Sequence, residues 1–153
     1  METKKAYKVF RYGSEVRWEA RRRGRACSSG KPELEISSPP EFKGDPGFWT
    51  PEDMFVASVN ACTMMTFLAY AQHKGLELVE YESEAEGVLE NVGGKYRFTE
   101  VAVRPHVVVK TAEALPQARE ILDSAHRDCL VTNSTTAAVK MFPELRASSR
   151  VAS

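Results

Sequence analysis

The chain has no surplus of charge of either sign: 21 Lys and Arg balance 21 Asp and Glu. Nothing in that balance calls for nucleic acid or an anionic membrane as a partner. The start of the chain, Met1-Glu-Thr-Lys-Lys-Ala, lacks the apolar run and small-residue cleavage site of a secretory signal, so a cytoplasmic location is expected. Cysteine is scarce. Cys27, Cys62 and Cys129 stand far apart and form neither the framework of a disulfide-stapled secreted domain nor a CxxC zinc motif. Repeats, low-complexity tracts and linkers are also missing, and 153 residues suit one domain over 1–153 better than two.

Residues 5 to 37 read as a meander of three strands. Ala6–Tyr12, Glu15–Ala20 and Glu33–Ser37 largely alternate apolar and polar residues, and Gly13, Gly24, Gly30 and Pro32 punctuate them. The basic cluster Arg21-Arg22-Arg23-Gly24-Arg25 reads as a solvated turn, or as a turn with one arginine facing an anion. After a loop rich in Pro and Gly, Thr50-Pro51-Glu52-Asp53 has the makings of a helix start. Thr50 can cap, Pro51 suits the first helical position, and two acids favour the dipole.

The 19 residues from Met54 to Gln72 carry no formal charge, and Lys74-Gly75 supplies a cationic end and a stop. Such a length would cross a bilayer, but Ser58, Asn60, Thr63, Thr66 and Gln72 interrupt it and suit a buried central helix. Strands are expected at 76–89 and 96–110, joined by a hairpin turn at Gly93-Gly94. A second helix is expected over 115–128, with Ala118, Ile121, Leu122, Ala125 and Cys129 on one stripe, so that Cys129 points inward. Thr132-Asn133-Ser134 can cap a short third helix through Val139, and residues 145 to 152 read as a closing strand. The fold class is α+β.

Cys62 lies ten residues after Glu52, which on a continuous helix is roughly 15 Å along the axis. If the two share a site, the simplest geometry is a pair of such helices running antiparallel across a twofold axis, each Glu52 reaching the other chain's Cys62. By residue type alone each cysteine equally suits a small core residue. Phe55, Met64, Met65, Phe67 and Tyr70 could line an apolar approach or fill the core. His126 lies near Cys129 without further ligands at metal-site spacing, and His73 and His106 read as surface residues.

Three segments give the chain a resemblance to the osmotically inducible protein C and organic hydroperoxide resistance family. They are Trp49-Thr-Pro-Glu-Asp-Met-Phe-Val-Ala-Ser-Val-Asn-Ala-Cys62, Cys129-Leu-Val-Thr-Asn-Ser134 and Arg22-Arg-Gly-Arg-Ala26. The start Trp49-Thr-Pro-Glu-Asp and the absence of Pro after Cys129 resemble the OsmC-like branch more than the hydroperoxide resistance branch. The resemblance implies antiparallel sheets wrapped around long central helices in an intertwined homodimer with shared active sites. It also implies a thiol peroxidase acting on small organic hydroperoxides.

Carried over by position, Cys62 is the reactive cysteine, Cys129 the resolving one, Glu52 the carboxylate and Arg22 the cation, with Arg25 a close rival. A thiolate attacks the peroxide, and a buried cysteine needs a neighbouring cation to be one. Glu52 would hold the guanidinium in a bidentate pair. No cofactor or metal is implied; an external dithiol would restore the pair. A second reading of a different class is a redox sensor or small-ligand binder without turnover.

Overall fold

In a computed structural model of the chain the structure describes residues 6–149. The chain divides into two compact units, Met1–Asp53 and Met54–Ser153.

The first unit holds an antiparallel meander, β1 (Glu15–Ala20), β2 (Arg23–Cys27) and β3 (Leu34–Ser37), in the order β1-β2-β3. Two sequence expectations are corrected here. Residues 6–14 form no strand, and Tyr7, Val9, Phe10 and Tyr12 are exposed. Their alternation suits a half-buried strand, but a strand needs a hydrogen-bonding neighbour and a covered face. The arginine cluster, expected as a turn, is a turn only at Arg21 and Arg22; Arg23–Cys27 is instead the middle strand. Its register sets Arg25 between Arg17 of β1 and Glu35 of β3, and Arg25 pairs with Glu19, Glu33 and Glu35. Cross-strand ion pairs of this sort let a charged segment join a sheet. Only Arg21 takes the left-handed turn, at φ 51°.

The loop after β3 folds back on itself. Gly44 donates to Pro39 O at 3.0 Å, and a Cβ at Gly44 would stand 1.4 Å from Ser38 O, so no other residue fits that crossing. Thr50 caps α1 (Pro51–Lys74) as expected: Asp53 N donates to Thr50 Oγ1 at 3.0 Å, and Thr50 N donates back to Asp53 Oδ2 at 3.1 Å. Gly75, at φ 68°, ends the helix with Leu76 N donating to Ala71 O at 2.9 Å.

In the second unit, α1 is followed by a long hairpin, β4 (Leu78–Val92) and β5 (Lys95–Val109), turning at Gly93-Gly94. Then come α2 (Leu115–Asp128), β6 (Ala138–Met141) and β7 (Glu144–Ala147). The expected third helix is only a single 3-10 turn over Thr132–Ser134, and the residues beyond it pair with β5. The closing strand spans 144–147, and the rest of its expected length from 150 on lies outside the described residues.

The sheet is mixed, not purely antiparallel. β6 and β7 both run parallel to β5, β6 against Glu100–Val103 and β7 against His106–Val109. A helical crossover reverses direction twice, so a strand reached through α2 returns parallel. Pro105 on β5 and Pro143 between β6 and β7 lie at the break between the two pairings.

Val59, Thr63, Phe67 and Ala71 of α1 are buried, four residues apart along one line. Phe67 and Ala71 join Ile121, Leu122 and Val107 in the larger core cluster, and Val59 joins Val101 and Val103 in a smaller one. The stripe expected on α2 is observed whole: Ala118, Ile121, Leu122, Ala125 and Cys129 have no exposed surface. The α1 helix is long and apolar enough to cross a membrane, yet one line of it lies in these cores.

Candidate functional site: a thiol pair

Cys62 projects from the middle of α1, half-buried, and Cys129 follows the last turn of α2, fully buried. All three cysteines are free thiols. The end of α2 is shaped by the residues after Cys129. Asn133 N donates to Cys129 O at 2.9 Å, Asn133 Nδ2 to Arg127 O at 3.2 Å, and Ser134 Oγ to Leu130 O at 2.7 Å. Those bonds satisfy carbonyls that a helix end leaves without partners, and they hold the 3-10 turn of Thr132 under the sulfur.

Hydroxyls surround the pair. Thr63 Oγ1 lies 3.9 Å from Cys129 Sγ, and Thr66 Oγ1 lies 4.0 Å from Cys62 Sγ. Burial pushes the Cys129 thiol up. The hydroxyl and backbone N–H of Thr132, the Cys62 thiol and the Thr63 hydroxyl bear on its sulfur and outweigh burial, leaving its pKa below the ordinary thiol value. Thr63 and Thr66 stood out in the sequence only as polar interruptions of the helix, and a hydroxyl residue directly after Cys62 was the available sign of their place beside the thiols.

In the first unit, Arg22 is exposed and its Nη1 donates to Phe42 O at 3.1 Å. Arg25 is taken up by three carboxylates, whereas Arg22 makes no ion pair among the described residues. Among the described residues Glu52 Oε2 is buried without a hydrogen-bond partner, and Arg22 and Glu52 form no ion pair with each other. Arg21 and Arg23 both pair with Asp45. Cys27 lies on β2 opposite Glu15.

Of the apolar residues near Cys62 in sequence, Phe67 is core, Phe55 stacks on Phe98 at 4.6 Å, and Met65 is exposed. Tyr70 donates to the Asp128 carboxylate. His106, expected at the surface, has Nδ1 at 3.1 Å from Glu144 Oε2. Among the described residues no group of three His, Cys, Asp or Glu side chains is arranged to hold a metal ion.

Known proteins share this fold. An OsmC-like protein of unknown function from Vibrio cholerae superposes with a TM-score of 0.81 at 24% identity, covering 89% of this chain and all of its own. An organic hydroperoxide resistance protein from Legionella pneumophila superposes with a TM-score of 0.70 at 22% identity, over 93% of this chain and 99% of that one. The uncharacterized protein YmaD of Bacillus subtilis (strain 168) is 25% identical over 116 residues, 74% of this chain and 77% of its own. The model of the family described as OsmC-like protein matches residues 44–142, from ahead of α1 through β6 and across both Cys62 and Cys129, and the chain therefore belongs to the OsmC-like family.

Proposed function

We propose that the protein is a thiol peroxidase that reduces small organic hydroperoxides. One observation carries the reading: two free thiols, one on α1 and one just past the end of α2, bear on each other, and their surroundings favour the ionised form of the buried one. The Cys62 thiolate attacks the terminal peroxide oxygen; the O–O bond breaks, the alkoxide leaves as an alcohol after taking a proton, and Cys62 becomes a sulfenic acid. Cys129 then displaces hydroxide from that sulfur and forms the disulfide. An outside dithiol reopens it by exchange, so no bound cofactor is required.

Arg22 and Glu52 are assigned by family position. Arg22 supplies the cation that favours the Cys62 thiolate, and Glu52 orients its guanidinium. The homodimer is part of the same proposal. Only 22% of the most apolar stretch of α1 is buried, which suits a second copy of the chain; in the first unit, Tyr7, Phe10, Tyr12 and Trp18 are exposed and suit the same kind of partner. The buried and unpartnered Glu52 Oε2 suits an arginine donor.

The test is stopped-flow oxidation of the reduced protein by cumene hydroperoxide and by hydrogen peroxide, for the parent and Cys62→Ser. Fast oxidation by the organic peroxide that disappears in Cys62→Ser is expected. Slow oxidation unchanged by the substitution would remove the peroxidase reading. With a dithiol present, many equivalents of peroxide should be consumed; a single equivalent would favour a redox sensor.

A further inference from the structure

Cys129 has no solvent exposure, and burial ordinarily keeps a cysteine as its neutral thiol. A thiol is a weak nucleophile, yet resolution requires this sulfur to attack. Among the described residues no cation bears on it: the titratable group facing it is Cys62, and the remaining contributors are the Thr132 hydroxyl and N–H and the Thr63 hydroxyl. A buried thiolate must here be supported by neutral donors.

Thr63 is the donor with a choice. It is 1% exposed, with Oγ1 2.9 Å from Val59 O and 3.9 Å from Cys129 Sγ. A hydroxyl has one proton to donate. Val59 O already accepts the helical bond from the Thr63 amide, so the hydroxyl's bond to it is surplus and can be released. Bonds to an ionised acceptor are shorter and stronger than neutral ones, so an anionic sulfur draws that proton in.

We infer that Thr63 is a positioning residue for resolution, swinging its single hydroxyl proton from the Val59 carbonyl to the Cys129 sulfur as that sulfur ionises. Thr132 Oγ1, buried and among the described residues otherwise without a hydrogen-bond partner, assists. The inference rests on the reading of Cys62 and Cys129 as a redox pair. In the step it serves, the Cys129 thiolate attacks the Cys62 sulfenic sulfur. The S–S bond forms as the S–O bond breaks, and the departing hydroxide takes up the proton that Cys129 gave up, leaving as water.

The experiment titrates Cys129 alone. With Cys27 and Cys62 replaced by Ser, Cys129 is the remaining thiol of the three, and the ultraviolet absorbance of its thiolate is followed against pH. Thr63→Val is expected to raise the midpoint by about one unit, roughly a tenfold loss of thiolate near neutrality. Thr63→Ser, which keeps the hydroxyl, is expected to restore the parent curve. Thr63→Ala takes the place of Thr63→Val if the latter does not fold.

Coincident curves for the parent and the hydroxyl-free variant would overturn the inference, as would a Ser variant that behaves like Val. This readout needs no peroxide, so it fails independently of the peroxidase reading. With all cysteines present, Thr63→Val should slow disulfide formation more than the first oxidation of Cys62, with more sulfenic acid trapped by dimedone. Equal slowing of both would also count against it.

Discussion

The side-chain amide of Asn60 donates to the backbone carbonyl of Ser83 at 3.1 Å, tying α1 to the strand beside it. β4 is the edge strand of its sheet, and the Asn60 amide gives this carbonyl a donor from α1. The bond sets the rotation of α1 two residues before Cys62. Asn60→Ala should lower stability by about 1–3 kcal/mol, because a partly buried carbonyl loses its partner. Urea unfolding would show it as a lower midpoint with an unchanged slope; an unmoved midpoint would mean that packing alone fixes the helix.

α1 packs tightly against the sheet at Gly87. A Cβ there would stand 2.7 Å from Val56 Cγ2 and 2.8 Å from Phe98 Cε1, and Phe98 is already stacked on Phe55. Gly87→Val is therefore expected to cost about 1–3 kcal/mol by overpacking. A variant as stable as the parent would show that the helix can lift away from β4 without loss.

Cys129→Ser separates the two halves of the proposed cycle. Cys62 should still be oxidised once by an organic hydroperoxide, but no disulfide can follow. Excess peroxide should then carry Cys62 to sulfinic acid, read as an added mass of two oxygens. Sustained turnover of Cys129→Ser with a dithiol would show that Cys129 is not the resolving residue.

Tyr81 carries an alkaline signature. Burial raises its phenol to about 12, with Ser83 beside it lowering it slightly. The unfolded value is about 10, so the folded state holds this proton more tightly. The linked stability is present in full below about pH 10 and is lost as pH rises towards about 12. Tyr81→Phe should flatten the fall in the urea midpoint across that interval, and an identical fall in both proteins would assign it to other groups.

Local pattern carried much of this molecule. The cap at Thr50, the stop at Gly75, the hairpin at Gly93-Gly94 and the buried stripe from Ala118 to Cys129 all express short-range chemistry, and each was legible in the sequence. What escaped was decided by distant partners. Arg23–Cys27 reads as a turn until Glu19, Glu33 and Glu35 are there to pair with Arg25. Ala138–Met141 becomes a strand because β5 offers an edge, and residues 6–14 form none despite their alternation. In the candidate site, Cys62 and Cys129 were visible as residue types, but the hydroxyl of Thr63 acquires meaning only through a neighbour 66 positions away.

The parallel pairing of β6 with β5 has a bearing on the order in which the chain becomes competent. The β4–β5 hairpin closes around Gly93-Gly94, a local event, while Ala138 must find Glu100 across the whole of α2. Closing that larger loop carries the greater entropic cost and comes late in folding. Cys129 lies inside the loop. A nascent chain that has built only its hairpin holds Cys62 on one segment and Cys129 on an unplaced one, and the two sulfurs become neighbours when the parallel strand docks. The proximity of these two thiols is thus a property of the finished fold, and on the proposed peroxidase reading the pair is withheld from oxidants until the chain around it is complete.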